Sequence, residues 1–204
     1  YTVSDEEAKL AANEVVATMG DKTLTNGELQ AFYWQEIYMF LNEYGVYAQY
    51  MGLDLEKPLD SQLMAGGQLD EDDVSWQQFF LDGAINTWKN YQALALEAEA
   101  ENYQMSAAEQ EELDTMADNL TASAVQAGFA DADELIQANA GAGCTLESYM
   151  KYVNTYYYGM SYYYDYCSKL DPTDAEVEAF FAENEEAFKE EGITKDAKFV
   201  DVRH

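Results

Sequence analysis

The sequence predicts a mainly helical domain that opens on a short β-hairpin. Three observations carry this. Ser or Thr stands three places before Glu at Thr25/Glu28, Ser106/Glu109 and Thr173/Glu176, the pattern of a helix capping box. Behind those caps apolar residues recur at steps of three and four. Near the start, two short alternating runs flank a Gly-Asp turn.

Residues 1–13 are polar and alanine-rich without a periodic pattern, and read as a tether or a frayed leading helix. Order begins near Glu14. Val15, Ala17 and Met19 alternate with Val16 and Thr18, Gly20-Asp21 turns the chain, and Lys22-Thr23-Leu24 returns as the second strand. The first capping box then opens a helix from about Asn26 to Tyr44, with Leu29, Phe32, Tyr33, Ile37, Phe40, Leu41 and Tyr44 on one broad face. Gly45, Gly52, Pro58 and Gly66-Gly67 punctuate a long loop to Asp73, rich in Tyr47, Tyr50, Met51, Leu53 and Leu55. Asp70-Glu71-Asp72-Asp73 suits the positive end of a helix dipole, so the next helix is expected from there to about Asn102. A calcium site at those acids is the alternative, but the EF-hand ligand spacing is absent.

The second capping box opens a helix to about Gln126, with Leu113, Met116 and Leu120 as its buried stripe, and Gly128 ends it. A short helix from Asp133 to Asn139 leads into Ala140-Gly-Ala-Gly-Cys144, a flexible hinge by composition. Thr145 caps a helix running to Lys169, and the third box opens the last helix, with Val177, Phe181 and Phe188 on one face. This makes six helices and one hairpin. Past Gly192 the run Lys198-Phe-Val-Asp-Val-Arg-His204 alternates as a strand does; without a following partner it reads as the start of a further domain, or simply as a cut in the chain.

Composition narrows the functional classes. With 48% hydrophobic and 14% aromatic residues, the 204-residue chain has apolar mass for one sizeable core. A formal net charge of -30, from 40 acidic residues against 10 basic ones, repels phosphate backbones, which excludes nucleic acid and anionic membrane surfaces as partners. The same acidity also serves simply to keep a tyrosine-rich protein soluble. No apolar run is long enough to span a bilayer, and Tyr1 to Lys9 lack the regions of a signal peptide; if the protein is exported, its targeting segment is expected to have been removed.

Chemistry of its own is hard to assemble from this chain. The one His stands at position 204, so no Ser or Cys can be given a neutral base within reach, and a zinc ligand set is lacking. Neither Gly141-Ala-Gly143 nor Gly66-Gly67 continues as a phosphate loop, and no cofactor is implied. Carboxylate pairs in a chain with 40 acids have no weight as glycosidase evidence. Cys144 and Cys167 flank one expected helix, which at about 1.5 Å per residue sets them some 30 Å apart. Two free thiols follow, unless the helix breaks near Gly159.

The helix from Thr145 to Lys169 is the most aromatic stretch. Tyr149, Val153, Tyr156, Met160, Tyr163 and Cys167 form a seam expected to pack inward. Tyr158, Tyr162 and Tyr166 lie on another face, with Tyr152 between that face and the seam and Tyr157 and Tyr164 on the opposite flank. Either the helix is central and enclosed, or part of it is an exposed adhesive surface. In the exposed case Tyr152, Tyr158, Tyr162 and Tyr166, together with Phe40, Tyr44 and Tyr47, are the expected peptide-binding residues. Tyrosine gives contact area at low entropy cost and suits unfolded or extended polypeptide as ligand.

Two segments carry a family resemblance. Val16-Ala-Thr-Met-Gly-Asp-Lys-Thr-Leu-Thr-Asn-Gly-Glu-Leu29 resembles the opening hairpin and first helix of SurA/PrsA-type foldases. Thr173-Asp-Ala-Glu-Val-Glu-Ala-Phe-Phe-Ala-Glu-Asn-Glu-Glu-Ala-Phe188 resembles the helix leading into their parvulin-type prolyl isomerase domain, and Val200-Asp-Val-Arg-His204 the first strand of that domain. The two matches bracket nearly the whole chain, while Gly45 to Asp73 has no recognisable motif and is longer than the family norm.

The resemblance implies a SurA N-terminal-like helical chaperone domain over 14–190, then a linker and the first strand of a truncated parvulin-type domain over 191–204. By it His204 belongs to an isomerase site whose other members are absent. It also implies export, lipid anchoring at a cell surface, and clients that are unfolded or extended polypeptides. The family's domain is commonly completed by a returning helix, so a homodimer partner or bound peptide is expected to fill the gap. The rival reading is a helical surface module recognising one folded partner; a third makes the parent chiefly a prolyl isomerase that this domain positions.

Overall fold

The computed structural model describes residues 5–64 and 74–195. In order, the elements are α1 (Asp5–Ala11), β1 (Val15–Met19), β2 (Lys22–Thr25), α2 (Asn26–Tyr44), α3 (Tyr47–Tyr50), α4 (Trp76–Ala100), α5 (Ala107–Ala127), α6 (Ala132–Ala140), α7 (Leu146–Ser168), α8 (Asp174–Glu183) and α9 (Glu185–Glu190). The fold is thus mainly α with one small hairpin, as the sequence predicts. The chain divides into two compact units, Tyr1–Tyr164 and Asp165–His204.

In the first unit local chemistry explains most element boundaries. β1 and β2 pair antiparallel around Gly20-Asp21, with Met19 opposite Lys22 and Thr18 opposite Thr23. Gly20 takes a positive φ of 61° while Asp21 does not, which is the turn with Gly first whose twist matches the strands. Thr25 then accepts from the Glu28 N–H while the Glu28 carboxylate accepts from the Thr25 N–H, closing the expected capping box. The box at Ser106 and Glu109 forms in the same way, and Gly128 ends α5 at φ 90°.

Of the two readings of the leading residues, Asp5–Ala11 take the helical one, and the chain behind them is tied to the start of α2, where Asn26 and Gly27 donate to the carbonyls of Glu14 and Ala12. Other expectations are corrected. α4 begins at Trp76 and not at Asp70–Asp73, which lie outside the described residues. Its N-cap is Ser75, whose hydroxyl accepts from the Gln78 N–H, and Leu63 bridges Ser75 in extended conformation just before it. The loop after α2 is also built. Gln62 donates to the carbonyls of Asp54, Lys57 and Pro58 and accepts from the Asp54 N–H, while Ala48, Leu53 and Leu63 are buried.

The expected hinge at 140–144 is a close approach. Gly143 is buried and donates to Gln30 Oε1, and a Cβ on Gly27 would stand 2.7 Å from the Gly143 carbonyl. Glycine here permits contact between segments, not motion. Cys144, buried within this turn, and Cys167 are both free.

Three apolar clusters surround α2. Leu29 and Phe32 pack with Leu24, Ala84 and Trp88; Ile37 packs with Ala48, Leu53, Trp76 and Phe80; Ala31 packs with Ile136, Ala140 and Cys144. Full burial of each large side chain contributes about 1.5–3 kcal/mol. The long α7 crosses α4 where Gly159 meets Leu94, with Tyr91 and Tyr156 in ring contact at 4.9 Å.

In the second unit the third capping box forms at Thr173 and Glu176. The expected single helix is two, because the Asn184 side chain donates to the Phe180 carbonyl and its backbone leaves helical angles. Phe181 and Phe188 stack at 5.0 Å, and no residue of α8 or α9 is buried. The strand expected at 198–204, with His204, lies outside the described residues.

Candidate binding groove

A groove runs through the first unit between β2, α4, α5 and α7. It consists of two depressions, of about 290 and about 380 Å³, that share Lys22, Gln92 and Thr155 as walls. The first has Phe32, Trp88 and Tyr152 beneath it and Thr23 at its rim. The second is bounded by Leu113 of α5 and Tyr158 of α7.

Gln92 distinguishes this groove from an ordinary surface furrow. It is only 8% exposed, yet its amide has no hydrogen-bond partner among the described residues. Its N and O atoms are not sealed inside the core either, so the amide opens onto the groove. It presents one acceptor and two donors, the complement of a peptide group.

Both rim lysines are paired, and the carboxylates outnumber them. Lys22 pairs with Glu99 at 2.9 Å, and that bond raises its pKa. Lys151 lies 3.3 Å from Glu28 and 3.4 Å from Glu147; burial works against its charge, but the two carboxylates prevail and its pKa is raised. The groove's outer field is that of the strongly acidic chain.

The expected site residues are not gathered into one surface. Tyr152 lies half-buried under the groove, its ring meeting Phe32 edge-on at 4.7 Å, and burial raises its pKa far above the ordinary tyrosine value. Tyr158 walls the second depression and donates to the Tyr103 carbonyl at 3.1 Å. Tyr162 packs on the Tyr103 ring at 5.6 Å. Phe40 is inside the aromatic cluster, 5.2 Å from Trp76 and 5.6 Å from Phe80, with Tyr44 on its outer side at 4.6 Å. Tyr47 is 69% exposed beside Tyr50, at the far end of α2. Tyr166 is 55% exposed and belongs to the second unit. Along α7, Val153 is buried and Tyr149, Tyr156 and Met160 are half-buried as the seam predicts, but Tyr163 is exposed because the inward face has rotated to Gly159 and Ser161.

Gln92 was not among the expected residues, although the sequence holds its signal. Ala84, Trp88, Gln92 and Ala95 recur at steps of four, four and three on the buried face of α4. One amide in that row breaks an otherwise apolar stripe.

A second concavity, of about 510 Å³, lies where Leu41 of α2, Ala48 of α3 and Leu53 and Leu55 of the loop meet. Among the described residues no cluster of His, Cys, Asp or Glu is placed to hold a metal ion, and no helix is long and apolar enough to cross a membrane. No protein-family model matches the chain, and neither does any curated protein or solved structure.

Proposed function

We propose that this chain is a chaperone-type domain that binds extended or unfolded polypeptide in the groove between β2, α4, α5 and α7. The observation that carries this reading is Gln92: an amide held nine-tenths buried, unpartnered and facing a concavity suits a peptide group brought by a ligand. The half-buried ring of Tyr152, backed by the buried Phe32 and Trp88, offers apolar contact without selecting one side chain. The likeness of Val16–Leu29 and Thr173–Phe188 to SurA/PrsA-type foldases supports the wider setting. In that setting the parent is an exported, lipid-anchored prolyl isomerase and the clients are unfolded proteins outside the cytoplasm.

Aggregation of a reduced, unfolded model protein tests the reading. The chain suppresses it at stoichiometric ratio, and Gln92→Met weakens that suppression while leaving the helical circular dichroism unchanged. No suppression by the native chain removes the chaperone reading.

A second reading, a module for one folded partner, is favoured by Val46, Tyr47 and Tyr50, which are 74%, 69% and 87% exposed side by side. Competition separates the two. Unrelated unfolded polypeptides displace a ligand held in the groove and leave a dedicated interface at Tyr47 and Tyr50 occupied.

A further inference from the structure

The groove has a feature that decides how a polypeptide would lie in it. A hairpin closed by a two-residue turn starts its ladder with a hydrogen-bonded pair, here Met19 with Lys22. The next pair, Thr18 with Thr23, is then of the non-bonded kind, so the N–H and C=O of Thr23 point away from β1. Neither group finds a partner among the described residues. On one side the next outward N–H, that of Thr25, is already taken by the Glu28 carboxylate at 2.9 Å. On the other, the Lys22 ammonium is paired with Glu99. Thr23 is left as a short open edge, one donor and one acceptor wide.

Thr23 borders the depression onto which Gln92 opens, both residues being among its walls. Thr18 offers the corresponding pair on the outer edge of β1, but it walls none of the concavities described above. Short charged edges ordinarily protect a sheet from pairing. Here the charge next to the edge is paired, and an unpartnered amide borders the same depression.

We infer that the bound polypeptide enters as an added strand, its main chain pairing with Thr23 at the outer edge of β2 and its next peptide group meeting the amide of Gln92. This rests on the groove reading proposed above and deepens it. Main-chain pairing gives affinity that tolerates most side chains. It also imposes one rule: the ligand residue that donates to the Thr23 carbonyl must carry an N–H, so proline is refused at that register.

The test is a backbone N-methyl scan of a labelled synthetic peptide of valine and threonine, with lysines at both ends and one central phenylalanine to fix the register, titrated against the full chain by fluorescence anisotropy. Loss of one hydrogen bond with its partner left unpaired weakens binding about tenfold. The expected result is such a loss at one position, with near-native binding when the methyl is moved one residue along. Thr23→Pro removes the outward N–H without touching a ladder bond, and is expected to weaken the unmodified peptide by a similar factor. If the variant fails to fold, the scan on the native chain decides alone. A flat scan combined with weaker binding to Gln92→Met overturns strand addition and leaves the groove reading standing. No binding, or binding insensitive both to the scan and to Gln92→Met, overturns both.

Discussion

Gly159 of α7 lies so close to Leu94 of α4 that a Cβ at position 159 would stand 3.0 Å from the Leu94 Cβ, 3.0 Å from the Tyr91 carbonyl and 3.3 Å from the Ala95 nitrogen. Two of those three neighbours are backbone atoms, which cannot swing aside. Replacing a mid-helix glycine by alanine ordinarily gains about 0.5–1 kcal/mol. Here overpacking, about 1–3 kcal/mol, outweighs it. Gly159→Ala is expected to lower stability in urea unfolding, and Gly159→Val to lower it further. A more stable alanine variant would show that the two helices separate at little cost.

This contact also shows where sequence reading stops. Gly159 stands in a tyrosine run, where a glycine by itself marks only a candidate helix break; that it is the crossing point depends on α4, sixty-odd residues earlier in the chain. The same holds for Gly143, whose freedom by composition proves to be contact with Gln30. By contrast, the hairpin, α2 and all three capping boxes were legible, because turn and cap chemistry act within four residues. The site was half-legible. Periodicity sets Tyr152 and Tyr158 toward one flank of α7 and both do wall the groove; Gln92 shows only as the amide in the buried row of α4, and the outward edge of Thr23 shows in no local pattern.

Tyr152 is expected to act as core before it acts as site. Its ring meets Phe32 and joins two of the three apolar clusters, so Tyr152→Ala removes about 2–4 kcal/mol, slightly below the usual aromatic truncation in a full core. Tyr152→Phe keeps the ring and stays within about 1 kcal/mol of the native chain. Tyr47→Ser and Tyr166→Ser, at exposed positions, stay within about 0.5 kcal/mol. Thermal denaturation of the four variants checks the order.

Glu109 links α5 to α7. Its carboxylate accepts from the Ser106 hydroxyl and backbone and from Ser161 of α7, and these bonds, the Ser106 hydroxyl first, hold its pKa below the ordinary 4.5. A group whose folded pKa is depressed stabilises the fold above its unfolded pKa and loses that contribution as pH falls through the folded value. The expected loss therefore begins below about pH 4.5. Glu109→Gln should lower the unfolding midpoint at neutral pH and narrow the difference from the native chain on acidification. A difference that stays constant with pH would show that the charge of Glu109 contributes nothing.

Gln92 brings stability and binding into opposition. A nine-tenths buried amide that still opens onto the groove keeps part of its hydration, so its desolvation costs about 1 kcal/mol, the low end for a buried polar group, which a similarly sized apolar side chain avoids. Gln92→Leu keeps the packing between Trp88 and Ala95 and is expected to raise stability by about 1 kcal/mol, which for a chain of this length shifts the midpoint by roughly 2–4 °C. The same substitution removes the group proposed to meet the ligand, so peptide binding should fall as stability rises. Denaturation and anisotropy measured on one preparation decide the point. If Gln92→Leu is both less stable and equally competent to bind, the amide serves the fold, and the groove loses the residue that makes it a site.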